Sequence, residues 1–407
     1  MKIGAMREIL FLVHRIPWPA DRGDKIRSHH ILKHLAQMAP VHVGAFADDA
    51  RDMGFVGEME SSFASVHVEL RDKPQWRLGL EALVKAQPVS VASCVSQSMK
   101  TWVDGLIARG NISHIVVFSG AMAQYVPPTF GGRFIMDFVD VDSAKFESYA
   151  GEGNPVMRWI NAREGRMLAA FEKQTAQRAD ANLFVSDAEA ALFRERSGEA
   201  ASAFGNGIDT AYYDPSIDVM SVRLPSPLIV FTGQMDYRPN IEAVCDFAAH
   251  AMPIVRKAHP QAQFAIVGRN PTSKVTALAQ LGGVIVTGAV DDVRSWIKAA
   301  DVVVAPLRIA RGIQNKVLEA MAMAKPVVVS PAAAQGIDAQ DGVHFCVANN
   351  VAEEAAQVAV LLSDAVARDR LGHAARAHVI DHYSWSAQLA PLDDIMDYRP
   401  KKLEVAR

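Results

Sequence analysis

Cysteine is scarce: Cys94, Cys245 and Cys346 are the only three in 407 residues. They lie far apart, with neither CxxC nor Cys/His spacing, which excludes a disulfide framework and a zinc site and points to a reducing compartment. Long apolar runs are also missing. Ile9 to Val13 is too short for a signal-peptide core and no later run reaches a membrane span, so a cytoplasmic protein is expected. There is no excess of positive charge either: 42 Lys and Arg against 45 Asp and Glu give a net charge of -3, which argues against a general nucleic-acid binder. Any basic surface must be local.

What is present is a globular composition, 50% hydrophobic and 21% charged, in a chain long enough for two domains. In the first half, strand patterns at Glu8–Val13, Val41–Ala45, Val66–Glu69, His114–Phe118, Phe134–Phe138 and Ala181–Val185 alternate with helical patterns. The helices are expected at Asp24–Gln37, Trp76–Ala86, Ser93–Ile107 and Pro155–Arg178, and another begins at Ser186 and Asp187. Strands at Leu228–Thr232, Phe264–Val267, Val284–Thr287, Val302–Ala305 and Pro326–Val329 give the second half the same alternation. The expectation is two Rossmann-like, doubly wound parallel α/β domains: residues 1–215, residues 216–385, and a tail 386–407 crossing back to the first.

Ligands of such sheets bind where a strand's carboxyl end runs into a helix N-terminus, a natural seat for anions. Asp301 to Ser330 has that form: strand, loop with Arg308, Arg311 and Gly312, helix with Lys316, second strand. Cations in a first helical turn oppose the dipole, which a bound diphosphate would explain; a solvated basic loop is the plainer reading. Asn315 and Glu319, one turn apart, share a helix face. Gly233 and Gly268 end strands and permit tight turns. Arg238 and Asn240 could reach a ligand, and Asn240 could equally cap its helix. Val290 lies in the loop after the third strand of this half, where Asp291 or Asp292 caps the next helix.

The first loop, HRIPWPADRG, carries Arg22, Gly23, Asp24, Lys25 and Arg27 at a helix start; Gly23 would allow close backbone approach. At the end of a later strand Asp137, Asp140 and Asp142 could position a hydroxyl, orient a catalytic group or bind a cation, with Asp142 the best helix cap.

The exit NGID at Asn206–Asp209, FTG at 231–233, IVG at 266–268, TGAV, and GIQNKVLEAMAMAKPVV from Gly312 together resemble the GT-B sugar transferases of glycosyltransferase family four (group 1). MDYRPN and RGIQNKVLEAMA are similar to the bacterial members associated with exosortase (PEP-CTERM) and exopolysaccharide loci. The resemblance implies two domains facing across a cleft and transfer of a hexosyl group from a nucleotide diphosphate sugar to a hydroxyl acceptor. Retention of configuration is implied, with no metal and no cofactor beyond the donor. Donor binding falls to the C-terminal domain through Gly233, Arg238, Gly268, Val290, Arg311, Gly312, Ile313, Gln314 and Asn315. Glu319 matches the glutamate that holds the donor ribose. The acceptor, a lipid-linked or growing glycan, falls to the N-terminal domain with Arg22, Gly23, Asp24 and Arg27.

Three departures accompany the resemblance. Arg311 replaces the first glutamate of the family's pair, the usual Arg and Lys are absent from GQMDYRPN, and DFVDVDS lacks the usual histidine. Arg308, Lys316 and Arg238 are the substitutes expected on the diphosphate, and Asp140 stands in for the histidine. A nucleotide-sugar epimerase of similar fold, or a nucleotide-sugar sensor that lost catalysis with Arg311, are the alternatives. A lipid-linked acceptor would bring the protein to the inner membrane face, with Arg15, Arg22, Lys25 and Arg27 toward anionic lipid.

Overall fold

The computed structural model of the protein describes residues 7–71, 79, 82, 87–151, 154–222, 224, 226–310 and 312–396. The chain divides into two compact units, one of residues 1–206 and 388–407, the other of residues 207–387. The division falls nine residues before the expected boundary, within NGID, because the chain after Asn206 is held by unit 2: Ile208 N–H donates to the Tyr383 carbonyl at 2.7 Å.

Unit 1 is built on seven parallel strands, β1 (Glu8–Val13), β2 (Val41–Ala47), β3 (Ser65–Leu70), β4 (Ile112–Phe118), β5 (Arg133–Val139), β6 (Ala181–Phe184) and β7 (Ser202–Ala203), in the order β3-β2-β1-β4-β5-β6-β7. Unit 2 repeats the plan with six, β8 (Leu228–Thr232), β9 (Gln263–Val267), β10 (Val284–Gly288), β11 (Val302–Ala305), β12 (Val327–Val329) and β13 (Cys346–Val347), in the order β10-β9-β8-β11-β12-β13. The central strands are apolar on both faces because helices cover both, and β2, β8 and β11 are buried throughout. Strand order reverses direction between β1 and β4, and again between β8 and β11, so each unit has its crevice at those carboxyl ends. Both units are thus Rossmann-like. β7 and β13, two residues each, are too short to leave an apolar run in the sequence.

Helices that matter for the sites are α1 (Gly23–Met38), α2 (Asp142–Tyr149), α3 (Pro155–Ala176), α4 (Arg238–Asp246), α5 (Asn315–Ala322), α6 (Val351–Ser363) and α7 (Ala365–Tyr383). The helix expected over Ser93–Ile107 is two: Val89–Ala92, then Gln97–Ala108 restarted by Ser96, whose hydroxyl accepts the Met99 N–H. The expected helix Trp76–Ala86 lies outside the described residues except at Gly79 and Ala82. Asp142 does not cap α2. The cap residue is Val141, and the job is done at long range by Glu189, which accepts the Val141 N–H, and by buried Glu172, which accepts the Ser143 N–H. Burial pushes the Glu172 carboxyl up to about 7, against the two bonds from Ser143.

Candidate functional site

In unit 2 the strand-end glycines are a matter of packing. A side chain on Gly268 would put its Cβ 1.6 Å from the Gly233 carbonyl oxygen, so the turns after β8 and β9 lie directly on one another. A Cβ on Gly233 would fall 2.9 Å from Lys316 Nζ and 2.8 Å from Asn240 Nδ2, which puts the start of α5 over the end of β8.

Lys316 is the centre of this cluster. Its Nζ donates to Asn240 Oδ1 at 2.6 Å and lies 4.1 Å from the centre of the Phe231 ring. Asn240 is buried, and its Nδ2 donates to the Gln234 carbonyl at 2.8 Å; it belongs to the interior of α4, where Tyr237 is the cap residue, so of the two roles left open for it the structure selects neither a cap nor a free ligand arm. Burial lowers the Lys316 ammonium to about 7, and the nearby Glu319 opposes the fall. Glu319, one turn further along α5, is pushed above the usual carboxylate range by burial, while the Tyr213 hydroxyl donates to it and Lys316 also pulls it down. Tyr213 is itself held well above its ordinary value by burial and by Glu319. No side chain caps the N-terminus of α5. The result is a half-buried amine at the margin of protonation, beside a helix N-terminus and a carboxylate: a seat that gains most from a multiply charged anion.

The loop before α5 turns at Gly312, whose φ of +63° is left-handed, and it rests on Gly336, where a Cβ would meet the Gly312 carbonyl at 2.6 Å. Ile313 and Asn315 are exposed, and Gln314 Nε2 donates to the Gly312 carbonyl. Arg311 lies outside the described residues. Arg308 is engaged elsewhere: its guanidinium bridges Asp246 at 2.9 Å and the buried Glu354 of α6 at 2.9 Å. Arg238 points into solvent beside Glu242, 2.8 Å away. Val290 packs half-buried against the unit 2 core. Asp292, not Asp291, caps its helix by accepting the Arg294 N–H.

The first loop of unit 1 is less cationic than its sequence. Arg15 bonds Asp24 and Asp48, Arg22 bonds Asp48 at 3.1 Å, and Arg71 approaches Asp48 at 3.4 Å. Asp24 is driven far below the carboxylate range by His14 and Arg15, against the effect of burial. Lys25 is buried on Asp52 at 2.6 Å. Arg27 is buried too: Nε donates to Asp137 at 3.0 Å, Nη1 donates to the Gly205 carbonyl and to Asn206 Oδ1, and the guanidinium lies over Phe204 at 4.1 Å. Arg27 is therefore a clamp on the exit segment and not a free acceptor-side cation. Nothing crowds Gly23, so no close approach requires a glycine there. The acids that consume this charge, Asp48, Asp52 and Asp137, come from β5 and from the turn and short helix (Ala50–Met53) after β2.

Asp140 is partly exposed, 3.5 Å from Lys145, which also meets Asp142 at 3.3 Å. Its backbone position is set by Val139, a β-branched residue at φ +71° whose N–H is held by Asp137 Oδ1 at 3.0 Å. Among the described residues no group of three His, Cys, Asp or Glu is placed to hold a metal ion, and no helix is long and apolar enough to cross a membrane. Tyr213 and Phe231 complete the Lys316–Glu319 site without having been singled out for it in the sequence, and Asn240, named there as a possible ligand contact, enters as the partner of Lys316; Tyr213 follows NGID closely, the one signal that could have found it.

Residues 226–364 match the family described as Glycosyl transferases group 1. Phosphatidyl-myo-inositol mannosyltransferase of Propionibacterium freudenreichii subsp. shermanii is 31% identical over 157 residues, 38% of this chain and 39% of that protein. The matched stretch thus spans about two fifths of the curated relative's length. Over almost the whole chain the fold resembles HepE of Anabaena, solved in complex with UDP, with a TM-score of 0.58 at 16% identity, covering 95% of this chain and 98% of that one. It also resembles WaaG, a glycosyltransferase involved in lipopolysaccharide biosynthesis, with a TM-score of 0.57 at 16% identity, covering 96% and 100%. The two Rossmann-like units therefore have the GT-B fold.

Proposed function

We propose that this chain is a metal-independent glycosyltransferase that moves a hexosyl group from a nucleotide diphosphate sugar to a hydroxyl on a lipid-linked or growing glycan, with retention, in exopolysaccharide or cell-surface glycan synthesis. The observation that carries the reading is the Lys316–Asn240–Glu319 cluster at the carboxyl ends of β8 and β11. The group 1 match over residues 226–364 and the UDP bound by HepE support it.

In this reading unit 2 takes the donor. Glu319 accepts hydrogen bonds from the donor ribose, while backbone N–H groups at the start of α5 and of the loop before it meet the diphosphate. As the bond from the sugar to the diphosphate breaks, negative charge grows on the leaving oxygen. Lys316, which takes its proton from solvent when the diphosphate binds, stabilises that charge as an ammonium more than it stabilises the intact donor. Unit 1 takes the acceptor, and Asp140 orients its hydroxyl.

The test is thermal unfolding of the purified protein against a panel of nucleoside diphosphates and their sugars, followed by incubation of the selected donor with lipid-linked acceptors. A rise in melting temperature with one nucleoside class, and an acceptor product heavier by one sugar, are expected. An isomerised donor in place of that product would make the protein an epimerase, binding without turnover a sensor, and no stabilisation by any nucleotide would sink the donor site.

A further inference from the structure

The apolar surface of the molecule is unevenly spread. Five of its exposed large apolar side chains, Tyr149, Val156, Met157, Trp159 and Ile160, fall within twelve residues, at the end of α2 and the start of α3. Val156 is 66% and Trp159 57% exposed. On a helix of 3.6 residues per turn, the four that belong to α3 occupy one arc of roughly 160°. The two helices form a hairpin pinned at its base, where Gly165 lies so close to α2 that a Cβ would meet the Glu147 side chain at 2.9 Å and the Ser143 carbonyl at 3.1 Å. Beyond that pin, the first seven residues of α3 are all exposed except where Asn161 begins to pack.

Charge on this hairpin has one prevailing sign. Arg158, Arg163 and Arg166 have no carboxylate partner among the described residues; their hydrogen bonds go to backbone carbonyls. The acids are engaged: Glu164 is buried and accepts the Val89 and Ser90 N–H groups, and Glu147, though exposed, is paired with Arg196 at 2.7 Å. Glu152 is the one other acid in the sequence of the turn. Arg163 and Arg166 follow Trp159 by about 6 and 10 Å along the axis, which is the depth separating the acyl boundary from the phosphate layer of a bilayer. Trp and Tyr suit that boundary, with an apolar ring and a polar edge. Arg163 also donates to the Ala82 carbonyl at 3.0 Å.

We propose that the tip of the α2–α3 hairpin is a membrane-docking element that inserts Val156, Met157, Trp159 and Ile160 into the interface of a bilayer carrying anionic headgroups, with Arg158, Arg163 and Arg166 on the phosphates. The first-loop cations assigned to this role in the sequence are spent on Asp24, Asp48, Asp52 and Asp137, so the lipid contact moves to the hairpin. Its purpose, though not the surface itself, rests on the glycosyltransferase reading: α2 starts two residues after Asp140, so the tip stands about 10 Å of helix from the proposed acceptor edge. A lipid-linked acceptor held in the membrane would meet that edge without leaving the bilayer.

Flotation with vesicles of phosphatidylcholine, alone or mixed with phosphatidylglycerol, tests this without donor or acceptor present, so its outcome is independent of the donor-binding test above. The protein is expected to float with the anionic vesicles. Val156→Ser with Trp159→Ser should lower the partition coefficient at least about tenfold with an unchanged melting temperature, since both side chains are exposed. Arg158→Ala with Arg166→Ala should abolish the preference for anionic lipid, and Met220→Ser, an exposed apolar site in unit 2, should change nothing. Failure of the unaltered protein to float, or equal flotation of the Val156/Trp159 variant, overturns the proposal. So does a Val156/Trp159 variant that floats normally but turns a dimer into a monomer, which would make the tip a protein interface.

Discussion

Lys316 Nζ and Asn240 Oδ1 lie 2.6 Å apart although 76 residues separate them in the chain. The amide can accept this bond from an ammonium or a neutral amine alike, so it fixes the position of the nitrogen without fixing its charge. In the proposed donor site that separation of position from charge would leave the geometry ready before the anion arrives, with the proton coming from solvent as it binds.

The first prediction is a pH dependence. Burial takes Lys316 from 10.5 to about 7, so above neutrality the folded, ligand-free protein lacks a proton that the unfolded chain still holds. Stability of the ligand-free protein should therefore rise with pH through this window. Binding of a nucleoside diphosphate should do the reverse, returning the proton. Affinity should fall as pH rises above about 7, by at most about tenfold per unit, and calorimetry in buffers of different ionisation enthalpy should show uptake approaching one proton. Lys316→Arg should bind with no such slope. Constant affinity from neutral to alkaline pH, with no proton uptake, would refute the assignment.

Glu319→Ala should weaken nucleoside diphosphate binding about 10- to 100-fold, the worth of hydrogen bonds to a charged group in a half-buried site. Tyr213→Phe keeps the carboxylate and removes only the hydroxyl that donates to it. Its loss should be smaller, about threefold, because the carboxylate keeps its place on α5. Calorimetry on both variants checks the order; equal affinities for all three proteins would remove Glu319 from the site.

Arg308→Met separates a structural cation from a ligand-binding one. The substitution leaves Glu354 buried without its partner, so the protein should lose about 2 kcal/mol of stability, less than a fully buried pair because Arg308 is partly exposed. Adding Glu354→Gln should restore most of it. Nucleotide affinity should stay within about twofold, whereas a diphosphate-gripping arginine would cost tenfold or more. Urea unfolding and calorimetry together read both quantities.

These sites show where sequence reasoning reaches and where it stops. The buried strands announce themselves as apolar runs because parallel sheets are covered on both faces, and the loop-to-helix passage ending in Lys316 and Glu319 is contiguous, so its chemistry is readable as a stretch. Arg27 and Lys25 are different. Each looks like a loop cation until the partner is known, and the partners, Asp137 and Asp52, stand 110 and 27 residues away. The same distance hides the Asn240 contact to Lys316, and it hides Glu172 and Glu189 as the groups that hold the start of α2. Local pattern fixes which residues form an element; only the fold decides whether a charged one is a ligand-binding group or one half of a buried pair.

Arg27 supplies the sharpest test of that distinction. All its partners, Asp137, Gly205, Asn206 and Phe204, belong to unit 1, and both charges of the pair are buried. Arg27→Met should destabilise the protein by about 3–5 kcal/mol, since it strands the Asp137 carboxylate, and Arg27→Met with Asp137→Asn should cost less than the single change. Lys should not rescue the site, because one ammonium cannot replace a planar group that bonds Asp137 through one edge and the Asn206 segment through the other. Nucleotide affinity of the folded protein should be unchanged. Were Arg27 an acceptor-binding cation, the same variant would keep its urea midpoint and raise the KM for acceptor. The midpoint and the KM therefore move in opposite combinations under the two roles, and the buried geometry predicts that the midpoint falls.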